Sequence, residues 1–125
     1  MVKTSQKQQQ LMLEKKYTKE QLRHRTKLLQ QLLKNYYQWK AYVEDFGLTY
    51  ITIEGEEWCF YDILDGLETL PPRQKQAVVL MCIEDHKEWD TAKEMGFTKW
   101  STPVQVYRNI GLKKLLAYHE DEREN

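Results

Sequence analysis

The sequence lacks the segments that mark secreted and membrane-spanning proteins. No apolar run approaches the roughly 18 residues that a membrane span requires. The first ten residues are polar, so we expect no secretory signal. There are only two cysteines, Cys59 and Cys82, and in an unexported chain we expect both to be reduced thiols. These absences together predict a cytoplasmic protein with no membrane partner.

The residue patterns that serve catalysis and metal binding are also missing. His24, His86 and His119 lie far apart, and there is no HExxH motif, paired-cysteine zinc spacing or glycine-rich phosphate loop. Cys82 and His86 are four residues apart, but a buried thiol beside a histidine in a turn is the simpler interpretation. We therefore expect neither an enzyme nor a bound metal or cofactor.

Acidic and basic residues balance over the whole chain but not along it. The 125 residues include 19 Lys plus Arg and 19 Asp plus Glu, which gives a formal net charge of zero. Residues 1–47 hold ten basic and four acidic side chains, a net charge of +6, so residues 48–125 have a net charge of −6. Within this acidic part, residues 97–119 contain four basic side chains and no acidic one. The neutral total is an average over patches of opposite sign.

The N-terminal 47 residues predict a flexible arm followed by one long helix. Residues 1–17 are rich in Gln and Lys without a long apolar period, which is typical of a flexible basic arm, with the alternative that Leu11, Met12 and Leu13 dock on the rest of the fold. Thr18 and Gln21 form a capping-box pair, and Gly47 supplies the C-terminal stop. Apolar residues recur every seven positions on two rows, interrupted by Arg25: Leu22, Leu29, Tyr36 and Val43, and then Leu32, Trp39 and Phe46. Residues 18–47 are therefore predicted to form a long amphipathic helix, about 40 Å in length.

Three uses of this apolar seam stay open. It can pack on the C-terminal part of the chain, pair with a second copy of the protein, or bind another protein. The bulky aromatic side chains of its second half favour intramolecular packing, since they are irregular for a coiled-coil seam.

The rest of the chain predicts a mainly α fold with one small β element. Residues 48–61 are interpreted as a hairpin or a linker, with the alternative that Trp58–Tyr61 already belongs to the next helix. Residues 62–119 predict a bundle of short helices that ends in a helix-turn-helix, with starts at Pro72 and Pro103. Residues 120–125 are interpreted as an acidic tail without structure.

The last two predicted helices have the pattern of a helix-turn-helix. Ala92 is small where the second helix would cross the first, and Gly96 suits a turn that needs positive φ. At 100° per residue, one side of the final helix faces the core: Val104, Tyr107, Gly111, Leu115 and Tyr118. The opposite side has the donors and acceptors that read base edges in a major groove: Thr102, Gln105, Val106, Asn109 and Lys113.

Four sequence segments, two before these last two predicted helices and two within them, resemble region four of bacterial RNA polymerase sigma factors. They are LETLPPRQKQ at 67–76, AVVL at 77–80, AKEMGF at 92–97 and LKKL at 112–115. The resemblance covers roughly residues 60–118. It implies a four-helix domain that reads the upstream promoter hexamer with its last helix and docks on the flap of the polymerase β subunit. The sigma domain that melts the promoter has no counterpart, so the chain is not expected to open a promoter alone.

Two hypotheses of function follow from the resemblance and the charge pattern. In the first, the chain is a DNA-binding transcription factor that acts with RNA polymerase, in the cytoplasm of a bacterium or of a bacteriophage's host. The expected DNA-binding residues are Lys99, Ser101, Thr102, Gln105, Val106, Arg108, Asn109, Lys113 and Lys114. In the second, it binds the polymerase flap or a separate sigma-like subunit and never contacts DNA.

Overall fold

The computed structural model of the protein describes residues 5–98 and 103–124. It is mainly helical, with one two-stranded antiparallel sheet, as the sequence predicts. In chain order the elements are α1 (Gln6–Lys16), α2 (Lys19–Lys34), α3 (Tyr36–Phe46), β1 (Tyr50–Ile53), β2 (Glu56–Cys59), α4 (Phe60–Thr69), α5 (Pro72–Val78), a π-helical turn (Val79–Ile83), α6 (Glu88–Glu94) and α7 (Pro103–Glu124).

The expectation of a flexible arm over residues 1–17 is wrong for the described part, which forms helix α1. Ser5 caps the helix: its side chain accepts from the Gln8 N–H at 3.1 Å, and the Gln8 side chain accepts from the Ser5 N–H at 3.1 Å. Leu13 is 2% exposed, and the Gln9 amide donates to the Asp121 carboxylate at 3.1 Å. Contacts with α7 therefore order a segment whose own apolar content is too low to predict it.

The predicted single helix over 18–47 is two helices, α2 and α3. The capping box at Thr18 and Gln21 is confirmed, and Gly47 ends α3 with φ of 68°. Between them Asn35 leaves helical geometry, at φ −102° and ψ 21°, and its side-chain amide donates to the Gln31 carbonyl at 2.9 Å. Asparagine side chains compete with the helical backbone in this way, so the helix is interrupted there.

The predicted hairpin is confirmed. Ile51 pairs with Trp58, and Ile53 pairs with Glu56 across the turn. The turn residues Glu54 and Gly55 have φ of 52° and 79°, the positive angles of a two-residue hairpin turn whose twist matches the strands. The alternative that Trp58–Tyr61 belongs to the next helix is wrong for Trp58 and Cys59, which lie in β2, and is confirmed for Phe60 and Tyr61, which begin α4.

Helix α7 lies at the centre of the molecule, where α1, α2, α4, α5 and α6 all contact it. Its backbone lies close to α5: a Cβ atom added at Gly111 would lie 2.7 Å from Val78 Cγ2 and 3.2 Å from the Gln74 carbonyl oxygen. The largest fully buried side chains of the core are Leu29, Leu33, Trp58, Ile63, Leu112, Leu115, Leu116 and His119. Leu112, Leu115 and Leu116 of α7 belong to one hydrophobic core cluster with leucines of α1 and α2, Trp58 of β2 and Ile63 of α4.

The interpretation of residues 120–125 as an unstructured acidic tail is wrong as far as residue 124. Helix α7 continues to Glu124, and both Glu120 and Asp121 are buried. Asp121 accepts a hydrogen bond from Gln9 of α1, and Glu120 forms an ion pair with Arg25 of α2, which offsets the cost of removing the two carboxylates from water. Among the helices described, none is long and apolar enough to cross a membrane.

Candidate nucleic-acid interface

Helices α6 and α7 are held together by small and aromatic side chains. Ala92 and Val104 are almost completely buried, and Gly96 has φ of 82°, a left-handed conformation that glycine adopts without strain. The Phe97 and Tyr107 rings stack with centroids 6.1 Å apart. The chain therefore turns at the predicted glycine and begins α7 at the predicted proline.

Both polar and apolar side chains are exposed to solvent on the first two turns of α7. Gln105 and Asn109, one turn apart, are exposed, and Val106 and Ile110 are 44% and 40% exposed. The Arg108 Nε–H donates to the Asn109 Oδ1 at 3.1 Å, which orients the asparagine amide. The predicted outward face is thus confirmed for Gln105, Val106 and Asn109.

The predicted lysines of α7 have different surroundings. Lys113 Nζ lies 2.8 Å from the Glu14 carboxylate of α1, and both side chains are about half exposed. Lys114 is half-buried and lies half a turn around the helix from Gln105. The structure therefore brings Lys113, but not Lys114, to the side of α7 that carries Gln105 and Asn109. The remaining predicted site residues, Lys99, Ser101 and Thr102, lie outside the described residues.

A groove of about 410 Å³ runs along this side of α7, where α1 and α2 contact it. Lys19 and Arg23 of α2 face Arg108 and Lys113 of α7 across the groove. The sequence favours packing of the apolar seam on the C-terminal part of the chain, but it does not predict that Lys19 and Arg23 lie beside α7. The available signal was the net charge of +6 over residues 1–47, which indicates a basic surface without saying what it adjoins.

A buried ionic cluster joins α2 to the end of α7. Arg25 is 4% exposed, and its guanidinium forms ion pairs with Glu56 of β2 and Glu120 of α7. The Tyr17 hydroxyl donates to Glu120 at 3.0 Å, and its ring lies 4.5 Å from the Arg25 guanidinium carbon. Arg25 was the residue that interrupted the predicted apolar seam, and this cluster is the physical reason for the interruption.

His119 lies beside this cluster with its ring stacked on Trp58, at a centroid distance of 4.3 Å and an interplanar angle of 7°. Burial, together with the positive charges of Arg123 and Arg25, lowers the pKa of His119 to about 3. The imidazole is therefore neutral near pH 7, and its two ring nitrogens have no hydrogen-bond partner in the described part of the chain.

The described residues show no cluster of three or more His, Cys, Asp or Glu side chains suited to a metal ion. Burial raises the pKa of the Cys82 thiol to about 11, so this thiol is protonated at neutral pH. Comparison with protein-family models, with curated proteins and with solved structures found no match to the chain. The geometry of α7 and the sequence of residues 60–118 are therefore the observations that bear on function.

Proposed function

We propose that the protein is a DNA-binding transcription factor that recognises promoter DNA with the first two turns of α7 and acts with RNA polymerase. In this proposal α6 and α7 form the helix-turn-helix of a domain similar to sigma region four. The observation that carries the proposal is the exposed face of α7 at Gln105 and Asn109, in a stretch of the chain that holds no acidic residue from 97 to 119.

The side chains on this face suit direct reading of bases. The amides of Gln105 and Asn109 can each form two hydrogen bonds to an adenine edge in the major groove, and Val106 can contact a thymine methyl group. Arg108 holds the Asn109 amide by its carbonyl oxygen, so less conformational entropy is lost when the amide binds a base. Recognition helices contact bases mainly through their N-terminal residues, which is the part of α7 left exposed.

The charges nearby suit contacts to the DNA backbone. Arg108 and Lys113 flank the reading face, and Lys99 and Lys114 would add phosphate contacts outside it. These few cations in a chain of zero net charge predict weak binding in isolation, reinforced by RNA polymerase through its β flap or through a separate sigma-like subunit. No catalysis, metal or cofactor is proposed, and the site of action is the bacterial cytoplasm, or the host cytoplasm if the protein is phage-encoded.

Fluorescence anisotropy with labelled promoter DNA and with random DNA, at low and moderate salt, tests the proposal. The double variant Gln105→Ala/Asn109→Ala should lose about 1–3 kcal/mol of affinity per base contact for the preferred sequence and nothing for random DNA. Gln76→Ala is the matched control, because Gln76 is an exposed amide on α5. If the protein binds promoter DNA and random DNA with equal affinity, and the double variant does the same, the proposal is wrong.

A second candidate function, binding of RNA polymerase or a sigma factor without DNA contact, is favoured by an apolar surface elsewhere. Tyr42, Phe46, Leu48 and Tyr50 are between 42% and 78% exposed and lie on α3 and the start of the hairpin, outside the sigma-like segment. Purified bacterial RNA polymerase, with and without sigma factor, provides the test. In this case Phe46→Ser should weaken binding to polymerase, whereas Gln105→Ala/Asn109→Ala should not.

A further inference from the structure

The outer edge of β1 lies open at the surface of the hairpin. The Phe60 N–H donates to the Thr49 carbonyl at 2.8 Å, so these residues form a hydrogen-bonded pair at one end of the ladder. Such pairs alternate with pairs whose backbone groups point outward, so the N–H and C=O groups of Tyr50 and Thr52 point away from β2. Both residues are exposed, and in the part of the chain that the structure describes only β2 pairs with β1. This β1 edge is a template for a further strand.

A groove adjoins the β1 edge on the side where the hairpin faces α2 and α3. It encloses about 330 Å³ and is lined by Ile51 and Ile53 of β1 but by no residue of β2, so it lies beside the open edge. Its apolar walls are accessible: Tyr42 is 42% exposed, Leu48 is 45% exposed, and the two isoleucines are half-buried. A strand added to the β1 edge would place every second side chain over this hairpin groove.

Neither the β1 edge nor the hairpin groove carries a charge. Residues 48–53 and all residues that line the groove are uncharged, in a chain of which 30% is charged. Proteins protect an exposed sheet edge with lysine, proline or another charged side chain, and β1 has none of these. The unprotected edge indicates that a partner strand covers it in the functional state.

A second copy of the chain fits this surface. In a two-fold symmetric contact a residue near the axis meets its own counterpart, so a charged residue there would face a like charge. The uncharged β1 avoids this repulsion, whereas a strand of another protein finds no charge here that would select it. β1 also has the alternation that an added strand needs, because Ile51 and Ile53 face the groove and Tyr50 and Thr52 face solvent.

We propose that two copies of the chain dimerise by antiparallel pairing of their β1 edges, which joins the two hairpins into one sheet. With the two-fold axis at Ile51, Tyr50 of each copy pairs with Thr52 of the other, and each such pair exchanges both of its N–H···O bonds. The two Ile51 side chains then meet at the axis, between the two hairpin grooves. This inference goes beyond the proposed function and does not depend on it.

Sedimentation equilibrium of the full chain, loaded at about 1 to 200 μM, tests the proposal, and the wild-type chain should dimerise with a Kd below about 100 μM. Thr52→Pro removes an N–H that the dimer needs and that β2 does not use, so it should weaken dimerisation by about tenfold or more. Glu57→Pro is the matched control, because Glu57 lies opposite Thr52 and its N–H points to the other edge of the hairpin. Circular dichroism checks that both variants fold.

Two cysteine variants test the register and decide the question alone if Thr52→Pro does not fold. Ile51→Cys places a thiol at the proposed axis, where facing Cα atoms lie about 4.5 Å apart, within reach of a disulfide. Thr52→Cys is the matched control, because Thr52 is more exposed but lies away from the axis. Under air oxidation Ile51→Cys should give a disulfide-linked dimer on a non-reducing gel, faster than Thr52→Cys. The wild-type chain, in which Cys59 and Cys82 are buried, should give none.

Three results would overturn the inference: a chain that stays monomeric at about 200 μM, equal weakening by the two proline variants, or faster cross-linking of Thr52→Cys than of Ile51→Cys. If the chain is monomeric and Phe46→Ser weakens its binding to polymerase, the apolar surface serves the second candidate function instead of a dimer. Loss of promoter recognition with dimerisation retained would count against the proposed function alone.

Discussion

The two halves of α7 present the same helix face to different surroundings. At 100° per residue, Gln105, Asn109, Leu116 and Glu120 lie on one side of the helix. The first two are exposed, whereas Leu116 is 1% and Glu120 is 5% exposed. The difference arises because Leu116 belongs to the hydrophobic core and Glu120 pairs with Arg25 of α2, whereas Gln105 and Asn109 face solvent.

This contrast shows that the role of a polar residue on a helix is set by what packs beside it. Glu120, read along the sequence, belongs to an acidic tail, yet in the fold it is a buried partner of Arg25 and Tyr17. Gln105, by contrast, carries no charge, and its side chain is exposed to solvent. The second half of α7, the structural half, is held in place by the ion pair of Glu120 with Arg25. The first half, the candidate recognition half, is held by buried Val104 and by the stacked Phe97 and Tyr107 rings.

The largest effect is expected from Glu120→Ala, which breaks the structural half. Removing this carboxylate takes one of the two ion-pair partners from buried Arg25, so the free energy of unfolding should fall by about 4 kcal/mol. Gln105→Ala, on the same face in the exposed half, should change it by less than about 0.5 kcal/mol. Urea denaturation followed by circular dichroism measures both. Similar losses in the two variants would show that the halves are not distinct.

Lowering the pH should destabilise the structural half through His119. In the unfolded chain a histidine has a pKa near 6.5 and takes up a proton there, whereas folded His119 does so only near pH 3. The stability due to neutral His119 is thus complete above about pH 6.5 and is lost as the pH falls, by about 3 kcal/mol at pH 4. His119→Phe, which retains a ring to stack on Trp58, should remove this part of the pH dependence. Urea midpoints measured from pH 7 to 4 that fall equally in both proteins would contradict the assignment.

Leu13→Ala tests whether α1 is a structural element rather than an arm. Leu13 is 2% exposed in contact with the core, so the variant should lose about 2 kcal/mol of stability. Leu11→Ala is the control on the same helix, because Leu11 is 48% exposed and its truncation should cost less than about 0.5 kcal/mol. Thermal and urea unfolding distinguish them, and equal stability of the two variants would restore the interpretation as an arm.

The smallest change in stability is expected from Lys113→Gln, at the boundary between the halves. The pair with Glu14 is exposed, so its loss should change the free energy of unfolding by less than about 0.5 kcal/mol. If Lys113 contacts a phosphate, the slope of log binding constant against log salt should fall by about 1. Lys27→Gln, an exposed lysine of α2 away from the groove, should leave the slope unchanged. An unaltered slope in Lys113→Gln would place residue 113 wholly in the structural half.

Local signals in the sequence predicted much of the fold. The capping box at Thr18, the glycines at 47 and 96, and the prolines at 72 and 103 act within one or two turns of the chain, and each lies where the structure begins or ends a helix. The hairpin was predicted for the same reason, because its turn and its β-branched residues are neighbours in sequence.

The errors occurred where distant contacts decide the structure. Helix α1 and the last turns of α7 are polar in sequence, and they are ordered by pairs such as Gln9 with Asp121, 112 residues apart. The seven-residue apolar period continues on both sides of Asn35, so it does not predict the break in the helix there. At the candidate site, the outward face of α7 followed from helical periodicity, but the neighbouring cations of α2 did not, since periodicity carries no information about which helices meet.

The contact at Gly111 fixes the rotation of α7 about its own axis. The backbone at this glycine approaches α5 so closely that there is no room even for a methyl group beside Val78 and the Gln74 carbonyl. The close contact at Gly111 therefore determines which residues of α7 face solvent. A larger residue there would rotate the helix and displace Gln105 and Asn109, so under the proposed function a substitution outside the DNA interface would change promoter recognition.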